Sequence, residues 1–269
     1  MSKNDNKYYR LDRILATGAD YMMIIGPRSN GKTYASLEYL LTDYVKNGRE
    51  FAIVRRWSDD FKASRGKEIF TSINNNNVVN KLTGGIWTDV IYKSSQFFFG
   101  KYNDGQLVIS DKPIGFALSV SASEHFKSIS FESVYNILYD EFITRSEYGY
   151  LANEFVLFMN LLSTVIRQKD NAKIIMCGNT VNQYCIYFQE MGLTNIKKMK
   201  PGSIDVYEYG DSKLKVAVEY TVPYSGKVTS NKFFAFDNPR LKMITGSDGG
   251  SWEIDIYPHL PYKYKPKDV

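Results

Sequence analysis

The run from residue 26 to residue 33, Gly-Pro-Arg-Ser-Asn-Gly-Lys-Thr, limits the possible folds more than any other part of the chain. It fits the pattern G-x-x-x-x-G-K-[ST], in which glycines let successive backbone N–H groups point toward phosphate oxygens. A short apolar run, Tyr21 to Ile25, precedes it, and apolar positions recur at helical spacing from Lys32 to Val45. These features predict a strand, a phosphate-binding loop and a helix whose positive end faces the phosphates.

Each residue type of this loop has a task in binding a nucleoside triphosphate. Lys32 is expected to place its charge at the β- and γ-phosphates, and the Thr33 hydroxyl is the expected protein ligand of Mg²⁺. The remaining residues expected to bind the nucleotide are Gly26, Arg28, Ser29, Asn30 and Gly31. The sequence thus predicts ATP and Mg²⁺ as cofactors. The alternative is a glycine-rich turn that binds no ligand.

Two adjacent carboxylates, Asp140 and Glu141, follow the apolar run Val134 to Tyr139. Ligands of open α/β sheets bind at the carboxyl ends of the strands, which is where this pair is expected. Asp140 is expected to hold Mg²⁺, directly or through water, and Glu141 to orient and polarise the attacking water. The pair favours ATP hydrolysis over transfer to a small molecule, because a kinase must exclude water. A solvated strand end is the alternative explanation.

Arg167 lies at the end of a helix that the apolar periodicity predicts over Glu154 to Arg167. A guanidinium at this position could reach the nucleotide of a neighbouring subunit and stabilise the charge of the transition state. The alternative is a surface charge that compensates the helix dipole. By position alone, the surface charge is the favoured interpretation.

Polar and basic residues end two further predicted strands. Asn179 follows the strand Ile174 to Cys177 and is placed to sense the γ-phosphate or the attacking water, although an ordinary turn asparagine is equally compatible. Arg55 and Arg56 end the strand Phe51 to Val54. They could contact phosphates of a nucleotide or of DNA, or be solvated, and both interpretations stay open.

The alternation of strands and helices predicts the α/β class, with a mostly parallel sheet flanked by helices. Gly84 to Ser110 alternates aromatic and polar residues around the turn Asn103 to Gly105, which predicts inserted β-hairpins. The polar stretch that follows Arg56 and runs through Asn74 to Asn77 is predicted to be an exposed loop. The expected division is an ATPase domain over 1–200, followed by a small β-rich linker or the start of a further domain over 201–269.

Composition narrows the function classes. The net charge of +5 and pI near 8.9 suit a protein that works beside a polyanion, without requiring one. Two cysteines without a CxxC pair and two distant histidines support neither a disulfide framework nor a zinc site. No apolar run is long enough for a signal peptide or a membrane span, so we expect a cytosolic protein with no membrane partner.

Taken together, these motifs resemble the DNA-packaging ATPases of small podoviruses of the phi-twenty-nine type, which are ring-forming P-loop motors with an additional catalytic glutamate. The resemblance covers about residues 8–188, and the order and spacing of the motifs make it more specific than the phosphate loop alone. It rests on these segments: Asp12–Leu15, Gly26–Thr33, Phe51–Arg56, Leu118–Val120, Ser123-Glu124, Tyr139–Ile143, Thr164–Arg167 and Gly178-Asn179.

The resemblance implies an ATP-driven translocase that packages double-stranded viral DNA into a procapsid in the host cytoplasm. It also implies a homo-oligomeric, pentameric ring docked on the capsid portal, with a packaging RNA as a further candidate partner. Arg167 would be the arginine finger that acts on a neighbour's ATP. Similar proteins carry a nuclease-like domain after a linker, but no acidic nuclease cluster is recognisable after Lys200.

Two other classes of protein share the phosphate loop. A nucleotide or nucleoside kinase would use the same loop and sheet, and product analysis separates it from a motor, because a motor releases free phosphate. A nucleotide-dependent switch or scaffold would hydrolyse ATP slowly and act through partners. Turnover stimulated by DNA would argue against the switch, and DNA contacts made mainly to phosphates would make that stimulation depend on salt.

Overall fold

A computed structural model describes residues 8–62, 64–145, 149–182 and 184–222. The strands are β1 (Tyr21–Gly26), β2 (Glu50–Arg55), β3 (Asp89–Lys93), β4 (Gln96–Asn103), β5 (Gln106–Ile109), β6 (Gly115–Ser119), β7 (Val134–Asp140), β8 (Lys173–Asn179), β9 (Ile204–Tyr209) and β10 (Leu214–Tyr220). The α-helices are α1 (Asp12–Leu15), α2 (Lys32–Asn47), α3 (Arg65–Glu68), α4 (Thr71–Asn75), α5 (Val78–Leu82), α6 (Glu154–Ile166) and α7 (Ile186–Glu190). None of these helices has the length and apolar content needed to cross a bilayer.

All of these strands belong to one ten-stranded sheet with the order β3-β4-β6-β2-β7-β8-β1-β10-β9, in which β5 pairs with β4. In the sheet, the six neighbouring strands β6, β2, β7, β8, β1 and β10 pair in parallel. The strands at the two ends of the sheet, β3, β4 and β5 at one end and β9 at the other, pair in antiparallel fashion. The predicted α/β class with a mostly parallel sheet is therefore confirmed. Because β8 lies between β1 and β7, the phosphate loop and the acidic pair are one strand apart on the same edge of the sheet.

The central strands are buried on both faces, as their nearly continuous apolar runs require. Alternate residues of β1 show this directly: Met22 and Ile24 pack in the cluster that contains α2, whereas Met23 and Ile25 pack in the cluster that contains α6. Helices thus cover both faces of the sheet. The two clusters hold the strand ends in fixed positions, and the candidate site is built on those ends.

The predicted hairpins are present between residues 89 and 109. The Asn103 to Gly105 turn joins β4 to β5, with φ of 49° at Asp104 and 79° at Gly105. A second tight turn joins β3 to β4, where Ser94 and Ser95 also have positive φ. Positive φ at both central residues suits the twist of two-residue hairpins, which explains why Asp-Gly occurs here.

The predicted exposed loop that runs through Asn74 to Asn77 instead contains the short helices α3 and α4, although Asn75 to Asn77 are exposed. The helix α4 ends at Asn75 and α5 begins at Val78, so only a short link separates them. Asn74 donates its side-chain amide to the Val90 carbonyl at 3.1 Å and accepts from the Val90 N–H at 2.9 Å. The Asn74 side chain therefore makes, with the backbone of β3, the pair of hydrogen bonds that a neighbouring strand would otherwise make. A run of polar residues in a sequence does not indicate this role.

The β-rich segment predicted after residue 200 is present as β9 and β10, but it is not separate from the main sheet. β10 pairs in parallel with β1, from Tyr21 opposite Val216 to Ile25 opposite Tyr220. A boundary at residue 200 therefore does not divide these strands from the rest of the sheet. Residues 223–269 lie outside the described residues, and a further domain there stays a prediction.

Candidate nucleotide-binding and hydrolysis site

The loop between β1 and α2 has the backbone geometry that its glycines predict. Gly31, which precedes the first residue of α2, has φ of 94°, a value that favours glycine. Gly26 is required for a different reason, because a Cβ on this residue would lie 1.9 Å from Thr221 Oγ1. Thr221 also accepts a hydrogen bond from the Asn30 side chain at 2.5 Å. The segment after β10 thus packs directly against the loop.

Lys32 points into the centre of this loop. Its Nζ donates to the carbonyls of Gly26 at 3.2 Å and Pro27 at 2.7 Å, and to the side-chain oxygens of Asn30 at 3.2 Å and Asn179 at 3.3 Å. Burial lowers the pKa of Lys32 from 10.5 to about 8. The buried ammonium is surrounded by oxygen acceptors, so it is poised to bind an anion that enters the loop.

Asp140, the last residue of β7, is held from two sides. Thr33 Oγ1 donates to Asp140 Oδ1 at 3.0 Å, and Arg55 Nη2 donates to Asp140 Oδ2 at 2.7 Å. Burial raises the pKa of this carboxyl, although the Arg55 charge and the Thr33 hydrogen bond act in the opposite direction. The structure therefore brings together two residues that the sequence predicted as Mg²⁺ ligands from distant parts of the chain.

Glu141 follows in a turn with a positive φ of 62°. Its N–H donates to the Cys177 carbonyl at 2.8 Å, and its Oε2 lies 2.9 Å from Arg55 Nη1, while the side chain remains 64% exposed. One guanidinium thus bridges both members of the acidic pair. The Nε of Arg55 is buried and has no hydrogen-bond partner among the described residues.

A cavity of about 250 Å³ lies between the loop and the acidic pair. The predicted nucleotide-binding residues that line it are Arg28, Ser29, Asn30, Gly31, Lys32 and Thr33. Asp140, Glu141 and Asn179 line its other side. A second cavity of about 230 Å³ adjoins it and is lined by several arginines as well as the acidic pair. Apart from Gly26 and Arg167, the predicted site residues thus line the first of these cavities.

The oxygen ligands at this surface fit Mg²⁺. Mg²⁺ binds through one or two carboxylates together with substrate phosphates and water, rather than in a cage made only of protein. Thr33 and Asp140 supply one hydroxyl and one carboxylate side by side. No group of three or more His, Cys, Asp or Glu that could hold a metal comes together within the described ranges. The donor set therefore matches a metal ion that is shared with a nucleotide.

Arg167 is not brought to this site. It follows α6, and its guanidinium contacts the carbonyls of Thr164 at 3.3 Å and Ile129 at 3.4 Å. Ile129 lies shortly before the start of β7, whereas the acidic pair follows its end, so Arg167 is at the opposite edge of the sheet. The exposed side chain can act on a nucleotide only in another subunit, and its predicted role stays a prediction.

The sequence did not decide whether Arg55 and Arg56 contact phosphates or are solvated, and it gave no reason to expect Thr221 near the phosphate loop. Neither arginine is solvated: Arg55 binds the acidic pair, and Arg56 forms a buried ion pair with Glu154 at 2.7 Å. Their place after a buried strand was the only available signal. For Thr221 there was none, because its contact with the loop depends on the pairing of β10 with β1.

A glycine-rich phosphate loop between a strand and a helix, on a mostly parallel sheet with an acidic pair at the same edge, defines a P-loop nucleotide-binding protein. The model of the Podovirus DNA encapsidation protein (Gp16) family matches residues 2–212, and the chain belongs to this family. The resemblance inferred from the motifs is thereby confirmed.

Two relatives indicate how much of a longer protein this chain covers. It is similar to the DNA packaging protein of Bacillus phage B103, with 30% identity over 169 residues, or 61% of this chain and 46% of that protein. It is also similar to the DNA packaging protein of Bacillus phage phi29, with 29% identity over 189 residues, or 69% of this chain and 49% of that protein. The chain spans about half the length of these curated relatives.

Solved structures share the fold. The N-terminal domain of the DNA packaging ATPase from bacteriophage phi29 has 24% identity and a TM-score of 0.60, covering 82% of this chain and 99% of that chain. The Phi-28 gp11 DNA packaging motor has 19% identity and a TM-score of 0.64, covering 97% of this chain and 72% of that chain. At these identities the likeness concerns the fold alone.

Proposed function

We propose that this chain is the ATP-hydrolysing subunit of a motor that drives double-stranded viral DNA into a procapsid. The observation that carries the proposal is the hydrogen bond from Thr33 to Asp140, with Glu141 next in the chain. It joins the phosphate loop to the acidic pair at one edge of the sheet. The family is described as encapsidation proteins, and both relatives are named DNA packaging proteins, which supports DNA as the substrate of the motor.

In this proposal the loop binds the triphosphate of ATP. Lys32 exchanges its loop carbonyl partners for β- and γ-phosphate oxygens, and the N–H groups at the start of α2 bind the same phosphates. Thr33 and Asp140 would hold Mg²⁺. When bound, that ion neutralises charge on the phosphates.

Glu141 is proposed to orient the attacking water and to accept its proton. Its exposed carboxylate lies at the rim of the cavity, where water has access and the γ-phosphate would lie. Asn179 binds Lys32 Nζ across the cavity, which supports its proposed role as a sensor of the γ-phosphate. Arg55 binds both carboxylates and so fixes the proposed base relative to the proposed metal ligand.

The motor is proposed to be a ring, pentameric in the family pattern, docked on the phage portal in the host cytoplasm. The exposed position of Arg167 on the edge opposite the loop supports an arginine finger that acts on a neighbour's ATP. The net charge of +5 suits contact with DNA phosphates. A packaging RNA is a further proposed partner at the portal.

Phosphate release by the full chain, with and without double-stranded DNA, tests the proposal. We expect hydrolysis that DNA stimulates and that Glu141→Gln reduces by roughly 100-fold or more, because the base is removed while the nucleotide contacts remain. Glu132→Gln is a matched control, since Glu132 is exposed and contacts Ser130 at 3.1 Å, before β7. Full hydrolysis by Glu141→Gln, or a phosphorylated acceptor in place of free phosphate, would contradict the proposal.

A further inference from the structure

A buried ion pair lies behind the Glu141 turn, outside the set of residues assigned above to nucleotide binding. Arg56 Nε lies 2.7 Å from Glu154 Oε2, and the two side chains are only 9% and 0% exposed. The pair joins the end of β2 to the first residue of α6. Arg56 also stacks on the Tyr150 ring, 5.0 Å from its centroid. These two contacts hold the guanidinium in one orientation.

The Glu154 carboxylate is surrounded by hydrogen-bond donors. Besides Arg56, it accepts from Tyr139 OH at 2.7 Å, Tyr187 OH at 2.9 Å and the Leu151 N–H at 2.9 Å. A buried ion pair is weak evidence for stability, because desolvation can offset the attraction between the charges. Apolar residues of similar volume could fill this space. The pair therefore suggests a purpose other than stability.

The two terminal nitrogens of the Arg56 guanidinium, which donate to backbone carbonyls, indicate that purpose. Its Nη2 donates to the Phe142 carbonyl at 2.8 Å and its Nη1 to the Glu141 carbonyl at 3.4 Å. Glu141 has a left-handed backbone conformation, which is strained for a residue with a side chain and persists only when its surroundings enforce it. Arg56 donates to the carbonyl of this residue and to the carbonyl of the residue that follows it.

We propose that Arg56 and Glu154 form a positioning pair that fixes the backbone of the Glu141 turn, and thereby directs the Glu141 carboxylate toward the phosphate loop. Neither residue is assigned a contact with the nucleotide, so the pair acts through Glu141. The inference rests on the proposed role of Glu141 in hydrolysis. Because Glu154 begins α6 and Arg167 follows its end, the same pair also ties the turn to the helix that carries Arg167.

The substitution Arg56→Lys separates positioning from charge. Lysine keeps a cation for Glu154, but it has no planar fork with which to bind a carboxylate and two carbonyls together. The turn should lose its fixed geometry, while the phosphate loop, built on β1 and α2, keeps its own. We expect hydrolysis at saturating ATP to fall roughly 10- to 100-fold, with nucleotide affinity within about twofold of the unaltered chain.

Arg49 provides a matched control at the other end of β2. It lies 3.8 Å from Asp43 and over the Tyr135 ring at 5.4 Å, so it has the same types of partner as Arg56. Arg49→Lys should leave hydrolysis and nucleotide affinity unchanged. Both variants are measured on the full chain with a fluorescent ATP analogue for affinity, phosphate release for turnover, and thermal unfolding for the folded fraction.

A double-mutant cycle with Glu141→Gln gives the decisive result. If Arg56 acts only through Glu141, Arg56→Lys has no further effect on the residual rate once Glu141 is replaced. Multiplied losses, unchanged turnover in Arg56→Lys, or a parallel loss of affinity would overturn the proposal. If Arg56→Lys does not fold, Glu154→Gln, which keeps an acceptor oxygen for its donors, replaces it in the same cycle. Absence of hydrolysis by the unaltered chain would instead refute the proposed function itself.

Discussion

Thr33 Oγ1 lies 3.0 Å from Asp140 Oδ1, so the first turn of α2 is hydrogen-bonded to the end of β7 although β8 lies between β1 and β7. The other oxygen of Asp140 accepts from Arg55. The carboxylate therefore cannot rotate away from the phosphate loop without losing charged and neutral partners together. Hydrogen bonds from both sides thus hold the carboxylate in one position, and groups held in this way lower the cost of reorganisation during a reaction.

Asp140→Asn should separate nucleotide binding from metal use. The amide oxygen can still accept the hydrogen bond from Thr33, but the charge that attracts Mg²⁺ and Arg55 is lost. We expect hydrolysis to fall roughly 100-fold or more, the loss that commonly follows removal of one group that stabilises charge in the transition state. The Mg²⁺ concentration for half-maximal activity should rise, because the site loses a negative charge. Titration of Mg²⁺ at saturating ATP measures both effects.

Asp170→Asn is the control for this substitution, since Asp170 is exposed and follows α6 at the far edge of the sheet. It should leave the Mg²⁺ titration unchanged. An unaltered Mg²⁺ midpoint in Asp140→Asn would exclude Asp140 as a metal ligand.

Lys32 should make nucleotide affinity depend on pH. Without nucleotide its pKa is lowered by burial to about 8, whereas a bound triphosphate favours the protonated form and raises that pKa. Above about pH 8, nucleotide binding therefore takes up a proton at Lys32. As a result, the contribution of Lys32 to nucleotide affinity is constant below about pH 8 and decreases as the pH rises above that value. Dissociation constants for an ATP analogue between pH 7 and pH 9.5 check the direction.

The variant Lys32→Arg tests whether deprotonation of Lys32 causes the pH dependence, because the arginine guanidinium stays protonated from pH 7 to pH 9.5. The variant should bind with an affinity that no longer falls above pH 8. The same slope in both proteins would assign the pH dependence to a group other than Lys32.

Arg167 should act between subunits. Because it lies at the edge opposite its own phosphate loop, a subunit with Arg167→Ala keeps an intact hydrolysis site, and a subunit with Glu141→Gln keeps an intact finger. Each variant alone should hydrolyse ATP at least roughly 100-fold more slowly than the unaltered chain, since arginine fingers contribute large rate factors. Mixing the two should restore part of the activity. Full activity of Arg167→Ala alone would remove it from the mechanism.

Local patterns were sufficient to predict the centre of this fold. The phosphate loop, the acidic pair after β7 and the helix α6 each have a signal within a few residues: a glycine spacing, two carboxylates after an apolar run, and a 3.6-residue periodicity. Asp140 and Thr33 could be assigned to one edge because parallel strands place their carboxyl ends together. Their contact thus followed from the fold class.

Contacts between distant segments could not be predicted in this way. The residues from Ile204 to Tyr220 have the turns and aromatic residues of a separate β-module, yet β10 extends the main sheet beside β1, almost 200 positions earlier. Arg55 and Arg56 are adjacent in sequence but bind different carboxylates. Arg55 is the last residue of β2 and Arg56 follows it, and successive side chains of extended backbone point to opposite faces. Only the packed sheet determines which carboxylate each arginine meets.

The contact between Gly26 and Thr221 connects the phosphate loop to the end of β10 and gives a prediction about stability. In Gly26→Ala the added methyl group would lie 1.9 Å from Thr221 Oγ1, so the loop or the strand must shift. We expect the free energy of unfolding to fall by about 1–3 kcal/mol, as in other overpacked sites, and nucleotide affinity to weaken with it. Adding Thr221→Ala removes the obstructing oxygen, although Asn30 then loses its acceptor. Denaturant unfolding should therefore find the double variant more stable than the sum of the two single losses predicts, whereas strictly additive losses would mean that this contact does not limit the residue at position 26.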